Sequence, residues 1–497
     1  MPIALAYLSC LLAGAVTPFA IEPYSHWYLG IISTGVLAWQ LHQPLTKKQL
    51  LLRSFVFGIG YFGIGVSWVF VSISQFGSES LAVAVTLTAL FVIMIAAVFA
   101  LPFYGLGYFA LTPWRLLLGF PLFWTLSEWL RTWLLTGFPW LFLGYGHIDT
   151  PLGGWAPVGG VLLVSLLAAL MAAAAASLLV KSISGQLKIL ALIAAVLFWV
   201  EGKALTGIAW TDKSADPVTV GIVQPNIPQA LKWAADYRQT TRDILTGVSA
   251  DLWQQDWIIW PEAAVPELYH QSQDFLTVMD RQARDTNTSL ITGILYDDQG
   301  RYAYYNGLLG LGEAKGLYFK QRLVPFGEYV PLESWLRGLI ALFNLPTSVI
   351  SAGSSDQIGL RANDIAIASA ICYEIVYPGL IARLAKDAQV IVTVSNDAWF
   401  GNSIGPPQHF HMARMRALET GRYVIRSTNN GISAIIEPDG NVQQQTPQFI
   451  RTSLKGTFMP MSGNTPYLIW KNYLVLVLLA LMAVVLIIKQ RQQFMQT

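Results

Sequence analysis

Charge is scarce in this chain. Lys, Arg, Asp and Glu together supply 12% of its 497 residues, where soluble globular domains carry about 25%. With 54% hydrophobic residues, this composition excludes an ordinary soluble protein and indicates a polytopic membrane protein. The net charge is only +2 and no basic cluster is present, so nucleic acid is not an expected partner. There are two cysteines, Cys10 in an apolar run and Cys372 far downstream. That excludes a disulfide framework. No His/Cys/Asp cluster has zinc-ligand spacing, so no metal site is expected. Internal repeats and low-complexity tracts are also missing. The first apolar stretch lacks the basic flank of a cleaved signal peptide, so it reads as a retained helix.

Long apolar runs are what the sequence has in abundance. Seven fall near 3–21, 27–42, 54–75, 82–111, 116–143, 158–180 and 188–208, and an eighth near 466–488. Most approach or exceed the roughly 20 residues that cross a hydrocarbon core. Basic residues fall in alternate loops: Lys47, Lys48 and Arg53, then Arg115, then Lys181 and Lys188, and finally Lys489 and Arg491 in the tail. The intervening short loops carry none. Eight spans with both termini in the cytoplasm put all of these on one side. The segment 209–465 is then expected outside, in a bacterial periplasm. Lys203 and Lys471 oppose the pattern, but they flank a long translocated domain, where the charge rule is weak. Glu128 and Arg131 lie inside an apolar stretch on one helix face and are expected to find partners.

Composition shifts near Ser214. Short apolar runs (Val218–Val223, Trp257–Trp260, Ser289–Leu295, Ile365–Ile371, Val390–Val394, Ile432–Ile436) alternate with helix-like segments such as Gln271–Thr286 and His409–Thr420. This predicts an α/β domain with buried strands. Glu262, Cys372, and Asn396 with Asp397 each follow such a run, and ligands bind at the carboxyl ends of strands in α/β sheets. A cysteine attacks carbonyl carbon as the thiolate and needs a base. His270, His409 and His411 are available, but nothing local singles one out. Glu262, after Ile-Ile-Trp-Pro, is the other choice, and burial would raise its pKa. Lys320 is the leading group to stabilise an oxyanion. Taken singly, each has an ordinary structural explanation.

Together the three change the reading. Trp-Pro-Glu (260–262), Tyr-Phe-Lys (318–320) and Cys-Tyr-Glu (372–374) follow the order of the Glu-Lys-Cys triad of the nitrilase superfamily. Five further blocks narrow the resemblance: Gln-Pro-Asn-Ile-Pro-Gln from 224, Leu-Val-Pro-Phe-Gly-Glu-Tyr-Val-Pro-Leu from 323, Ser-Asn-Asp-Ala-Trp-Phe-Gly from 395, the stretch 408–419, and Arg-Ser-Thr-Asn-Asn-Gly from 426. They resemble the apolipoprotein N-acyltransferase family. The motifs cover about 220–440, and the eight-span layout extends the likeness over nearly the whole chain.

The resemblance implies a transmembrane domain over 1–213, an inserted periplasmic nitrilase-type α-β-β-α sandwich over 214–460, and a last span with its tail over 461–497. It implies Glu262 as general base, Lys320 as oxyanion stabiliser and Cys372 as nucleophile. Glu328, Tyr373 and Glu374 would have supporting roles, and Trp233 would belong to a mobile loop near the lipid entrance. It implies acyl transfer through a Cys372 thioester, from a phospholipid, phosphatidylethanolamine in particular, to the α-amino group of an S-diacylglyceryl cysteine at a lipoprotein N-terminus. No metal or organic cofactor is implied. The implied location is the bacterial inner membrane. An amidohydrolase that passes its acyl group to water, or a membrane scaffold, are the competing readings. One departure from the family stands out: Arg322 occupies a position where a histidine is expected. Arg414 and Glu419 are expected to be structural polar contacts on a helix, and Asn429–Gly431 to be a turn.

Overall fold

The computed structural model of the chain describes residues 2–77, 80–325, 327–329 and 350–495. Part of the motif that starts at Leu323, including Phe326, lies outside them. Four helical stretches are long and apolar enough to cross a membrane: Ile3–Ala20, Leu81–Leu106, Pro151–Ser177 and Tyr473–Gln493. Lys47–Gly65 and Trp68–Phe76 pass the same test together, but they meet at a 56° bend. The expected span over 54–75 is therefore a broken one. Shorter or more charged helices occupy Trp27–Leu41 and Gly185–Leu205.

The expected span over 116–143 is also interrupted. A helix runs over Phe120–Leu130 and then gives way to irregular backbone, with Leu135, Thr136 and Gly137 at positive φ. Arg131, at the break, donates to the Trp140 carbonyl at 2.7 Å, and Glu128 accepts from Trp124 Nε1 and the Leu143 N–H. These two charged residues hold a non-helical segment in place, and such backbone is tolerated at membrane depth only when protein satisfies its polar groups.

Helix faces with Val477, Leu481, Val484 and Ile487 exposed suit hydrocarbon rather than water. Inside the bundle, small residues let backbones approach. A Cβ on Gly14 would collide with the Phe57 carbonyl, and one on Gly60 with that of Leu11, the small-residue contact expected of membrane helices.

Beyond the helices lie two stacked sheets. One has six strands in the spatial order Thr452–Phe458, Val218–Gln224, Trp257–Ile259, Ser289–Asp298, Ala303–Gly312, Leu317–Phe319. The other has seven, with Ile365–Ile371, Val390–Ser395 and Val424–Thr428 running parallel at its centre. Alternate residues of each strand face opposite ways. Val220, Ile222 and Ile259 meet Ile371, Val392 and Val394 in one core between the sheets. Val223 and Ile258 point outward onto helices Arg238–Ser249 and Gln273–Asp285. With both faces buried, the strands read as continuous apolar runs.

The second sheet's outer face is covered by helices Pro378–Ala385 and Gly405–Thr420. The layers therefore run helix, sheet, sheet, helix. This last helical layer shares one apolar core with the membrane helices. Polar contacts fasten the two. Trp140 Nε1 donates to Gln408 Oε1 at 2.7 Å, and His411 Nε2 lies 2.7 Å from the Tyr145 carbonyl. The helix Ala156–Ser177 breaks at Gly159 and Gly160. Its freed Val161 N–H donates to Glu419 Oε1 at 2.7 Å, and Glu419 pairs with Arg416. Arg414, expected as a partner for Glu419, bonds to Asp149 and the Gly440 carbonyl instead. Two residues further along the Gly405–Thr420 helix, Arg416 completes the buried pair.

Candidate active site

The carboxyl ends of the parallel strands bring the predicted residues together. Cys372 follows Ile371 directly, and its φ of +53° breaks the strand into a turn (Cys372–Val376). A non-glycine residue in that region is strained by about 1–3 kcal/mol, as is common where a side chain must be presented to substrate. In the neighbouring strand Val394 is paired with Ile371. The next residue on each side places Ser395 Oγ 3.4 Å from Cys372 Sγ. Glu262 arrives from the other sheet, just after Trp257–Ile259.

Glu262 and Lys320 are buried, 7% and 1% exposed. Lys320 Nζ lies 3.4 Å from Glu262 Oε1 and 2.8 Å from Glu328 Oε1. Asn306 Nδ2 donates to both carboxylates, at 2.8 and 3.2 Å. The Asn396 N–H donates to Glu262 Oε2 at 2.8 Å. Burial works to raise the Glu262 carboxyl, but Lys320, Asn306, Lys232 and the Asn396 N–H outweigh it and hold the group below the usual carboxylate range. This reverses the sequence expectation, which counted burial without the cations around it. Burial also works to lower Lys320, and Glu328 and Glu262 overcome it, holding the ammonium well above the lysine range. Cys372, raised first by burial and then by the Glu262 charge, is pushed up to about 12. The resting site thus holds a thiol beside a carboxylate and an ammonium.

Glu374 is fully buried and ties the loop after Lys320 to the turn at Cys372. It accepts from the N–H groups of Ile371, Gln321 and Arg322, at 2.8, 2.7 and 3.2 Å, and from the Tyr318 hydroxyl at 3.0 Å. Burial lifts its pKa to about 7 against those donors. Tyr373 and Tyr377 donate to the carbonyl of Gly137 in the irregular membrane segment, at 3.3 and 3.1 Å. Arg322, where a histidine was expected, sets its guanidinium 5.4 Å from the centre of the Tyr377 ring. Trp233 is half-exposed, next to the short helix Gln229–Lys232.

The three histidines left open by the sequence have other partners. His409 Nε2 lies 3.1 Å from the Cys372 carbonyl oxygen, His411 bonds to Tyr145, and His270 to Asp297. His409 is lowered by burial and by Arg426, so as a neutral ring it donates through Nε2. Its Nδ1 accepts from Arg426 Nη2 at 3.0 Å. Asp397 accepts from Ser395 Oγ and Arg426 Nη2, at 2.5 and 2.8 Å. Arg426, with Ser395, overcomes burial and holds the Asp397 carboxyl well below its usual range. A buried network thus backs Cys372. Asn429, expected in a turn, is buried and donates to Asn396 Oδ1 and the Ile227 carbonyl, at 3.1 and 2.9 Å.

Sequence reasoning missed Asn306, Lys232 and the network of Ser395, His409 and Arg426. For Asn306 the signal was a lone amide in the apolar Ala303–Gly312 strand. For Ser395 it was the position beside Asn396 and Asp397. Lys232 carried none, since a lysine beside a tryptophan resembles any interfacial pair. Among the described residues no group of three or more His, Cys, Asp or Glu could hold a metal ion.

Cys372, Glu262 and Lys320 thus sit at the strand ends of a helix–sheet–sheet–helix domain, and residues 219–458 of that domain match the carbon-nitrogen hydrolase family. Residues 13–174 match the apolipoprotein N-acyltransferase N-terminal domain. The chain is 42% identical over 474 residues to the apolipoprotein N-acyltransferase of Pseudomonas syringae pv. tomato, covering 94% of this chain and 93% of that one. It is 43% identical to that of Pseudomonas aeruginosa, covering 93% and 91%. With the Coxiella burnetii enzyme it shares 40% identity over 93% and 96%. The chain belongs to the apolipoprotein N-acyltransferase family.

Proposed function

We propose that this enzyme acylates lipoproteins by two successive transfers through a thioester on Cys372. Glu262 takes the thiol proton as Sγ attacks the ester carbonyl of a phospholipid acyl chain, the sn-1 chain of phosphatidylethanolamine in this reading. Lys320 donates to the oxyanion. The C–O bond breaks, Glu262 returns the proton to the leaving oxygen, and a lysophospholipid departs. The α-amino group of an S-diacylglyceryl cysteine then attacks the thioester. Glu262 takes its proton, the C–S bond breaks, and the sulfur is reprotonated. The observation that carries this reading is the geometry of the pocket: buried Lys320 sets Nζ 3.4 Å from Glu262 Oε1 and 2.8 Å from Glu328 Oε1, and Cys372 lies near enough to feel the Glu262 and Lys320 charges. Proton transfer then accompanies attack, as general-base catalysis requires.

The membrane helices fit the substrates. Both are held in the bilayer by acyl chains, and each buried CH₂ moved into water costs about 0.8 kcal/mol. We take residues 1–213 as the membrane domain, 214–460 as the periplasmic catalytic domain and 461–497 as the last span and cytoplasmic tail. Eight spans place both termini inside and the domain against the outer leaflet of the inner membrane. Trp233 lies at the lipid entrance, and Glu328, Tyr373 and Glu374 hold Lys320 and the nucleophile turn.

Mass spectrometry of the purified enzyme tests the thioester. The peptide containing Cys372 should carry a fatty acyl mass that hydroxylamine removes, and Cys372→Ala should abolish both adduct and transfer. Full transfer by Cys372→Ala would refute the mechanism, and release of free fatty acid in place of an acylated lipopeptide would make the enzyme a hydrolase.

A further inference from the structure

Lys232 ends the short helix Gln229–Lys232 with its side chain turned inward, and it is 2% exposed. Its Nζ donates to the Glu262 carbonyl at 3.0 Å and sits 6.0 Å from the Trp233 ring centre. The titratable groups it feels are Glu262 and Cys372. Those that Glu262 faces are Lys320 and Lys232, with Glu328 joined to it through Asn306 and Lys320. A buried ammonium is costly unless an anion balances it, so the charges of this pocket must be weighed together.

At rest, Glu262 and Glu328 face Lys320 and Lys232, two anions against two cations. When the thiol proton moves to Glu262, one negative charge moves from that carboxylate to the oxyanion, and the balance holds. Without Lys232 the pocket would carry two anions and one cation from start to finish. The protonated form of Glu262 would gain ground, and the base would be neutralised at a higher pH than in the wild type.

We propose that Lys232 is the second cation of the active site, a positioning residue that keeps Glu262 ionised and offsets the negative charge as it passes to the oxyanion. This rests on the thioester reading above. Burial draws its own ammonium down to about 8, against Glu262 and Cys372, so it remains charged at neutral pH.

The test uses full-length enzyme in phospholipid–detergent micelles, reading Cys372 adduct formation against pH and thermal unfolding in parallel. Lys232→Met should slow thioester formation by about tenfold or more and move the acid limb of the profile up by about one pH unit. Lys232→Arg should keep the limb of the wild type. A packing role predicts the reverse order, with the similarly shaped Met harmless and the bulkier Arg the poorer, and that result would overturn the proposal. Should the Met variant fail to fold, Lys232→Gln, which keeps a donor for the Glu262 carbonyl and loses only the charge, makes the same comparison. The wild type alone is also decisive, since an acid limb above about pH 5 is incompatible with a carboxylate held below its normal range. A wild type that forms no adduct defeats the thioester mechanism itself. An adduct whose rate and pH profile are unmoved by Lys232→Met defeats only the role of Lys232.

Discussion

Asp397 shows how single side chains set the pH behaviour of this molecule. Its folded pKa is depressed, so the stability it contributes is present above its unfolded value of about 3.9 and is lost as pH falls through the folded value. Asp397→Asn leaves Arg426 buried without its carboxylate, a loss of about 3–5 kcal/mol by the cost of breaking a buried pair. Thermal unfolding should show the widest gap from wild type near neutral pH, and the gap should narrow as pH drops below about 4. Adduct formation should fall as well, because the amide leaves one oxygen where Ser395 and Arg426 each had their own, and Ser395 is held less firmly beside Cys372. At Glu374 the substitution to Gln puts an amide among four donors. It should cost about 1–3 kcal/mol and slow acyl transfer by displacing the loop that carries Lys320.

Elements in this fold are held by carboxylates and by missing side chains. Gly293 lies where a Cβ would come within 2.5 Å of the Ala263 nitrogen and 2.7 Å of Glu262 Cα. Gly293→Ala should therefore move Glu262 away from Lys320. We expect about 1–3 kcal/mol lost from overpacking, with a drop in kcat that exceeds what the loss of folded enzyme explains. The broken helix Ala156–Ser177 depends on another domain for its cap, since Glu419 receives the Val161 N–H. Gly160 at the break has φ +70°, and a Cβ there would meet the Tyr467 ring. Glu419→Ala removes the cap and strands Arg416, so it should lower the unfolding temperature in detergent sharply. Limited proteolysis should then cut between the membrane helices and the catalytic domain, where the wild type resists.

For the molecule as a whole, the two-sheet domain and the apolar helices share one apolar core through the Gly405–Thr420 helix. The strand pairing of Asp212–Lys213 with Met461–Ser462 brings the domain's entry and exit side by side. A fragment of residues 214–460 should fail to transfer acyl groups from phospholipid. It would expose the face that the helices cover, and its substrates would have to leave the bilayer. Sustained transfer by that fragment would contradict the role given to the helices. Cysteine substitutions at the tail and at exposed domain positions such as Tyr302, labelled with an impermeant reagent in whole cells with permeabilised outer membranes, should react in the domain and not in the tail.

Residue types and their order determined much of this by themselves. Hydropathy marks lipid-facing segments because transfer free energy is local to each stretch of chain. Apolar runs mark doubly buried strands for the same reason, and three short motifs named Glu262, Lys320 and Cys372. Only the tertiary structure decided where the apolar stretch 116–143 breaks, that Glu419 caps a membrane helix, and that Asn306, Lys232 and the Ser395–Asp397–His409–Arg426 network surround the site. It also reversed the sign of the shift at Glu262. Burial can be guessed from neighbours in sequence. Charge balance depends on partners such as Lys320 and Lys232, 58 and 30 residues away along the chain, and electrostatic energy follows distance in space alone.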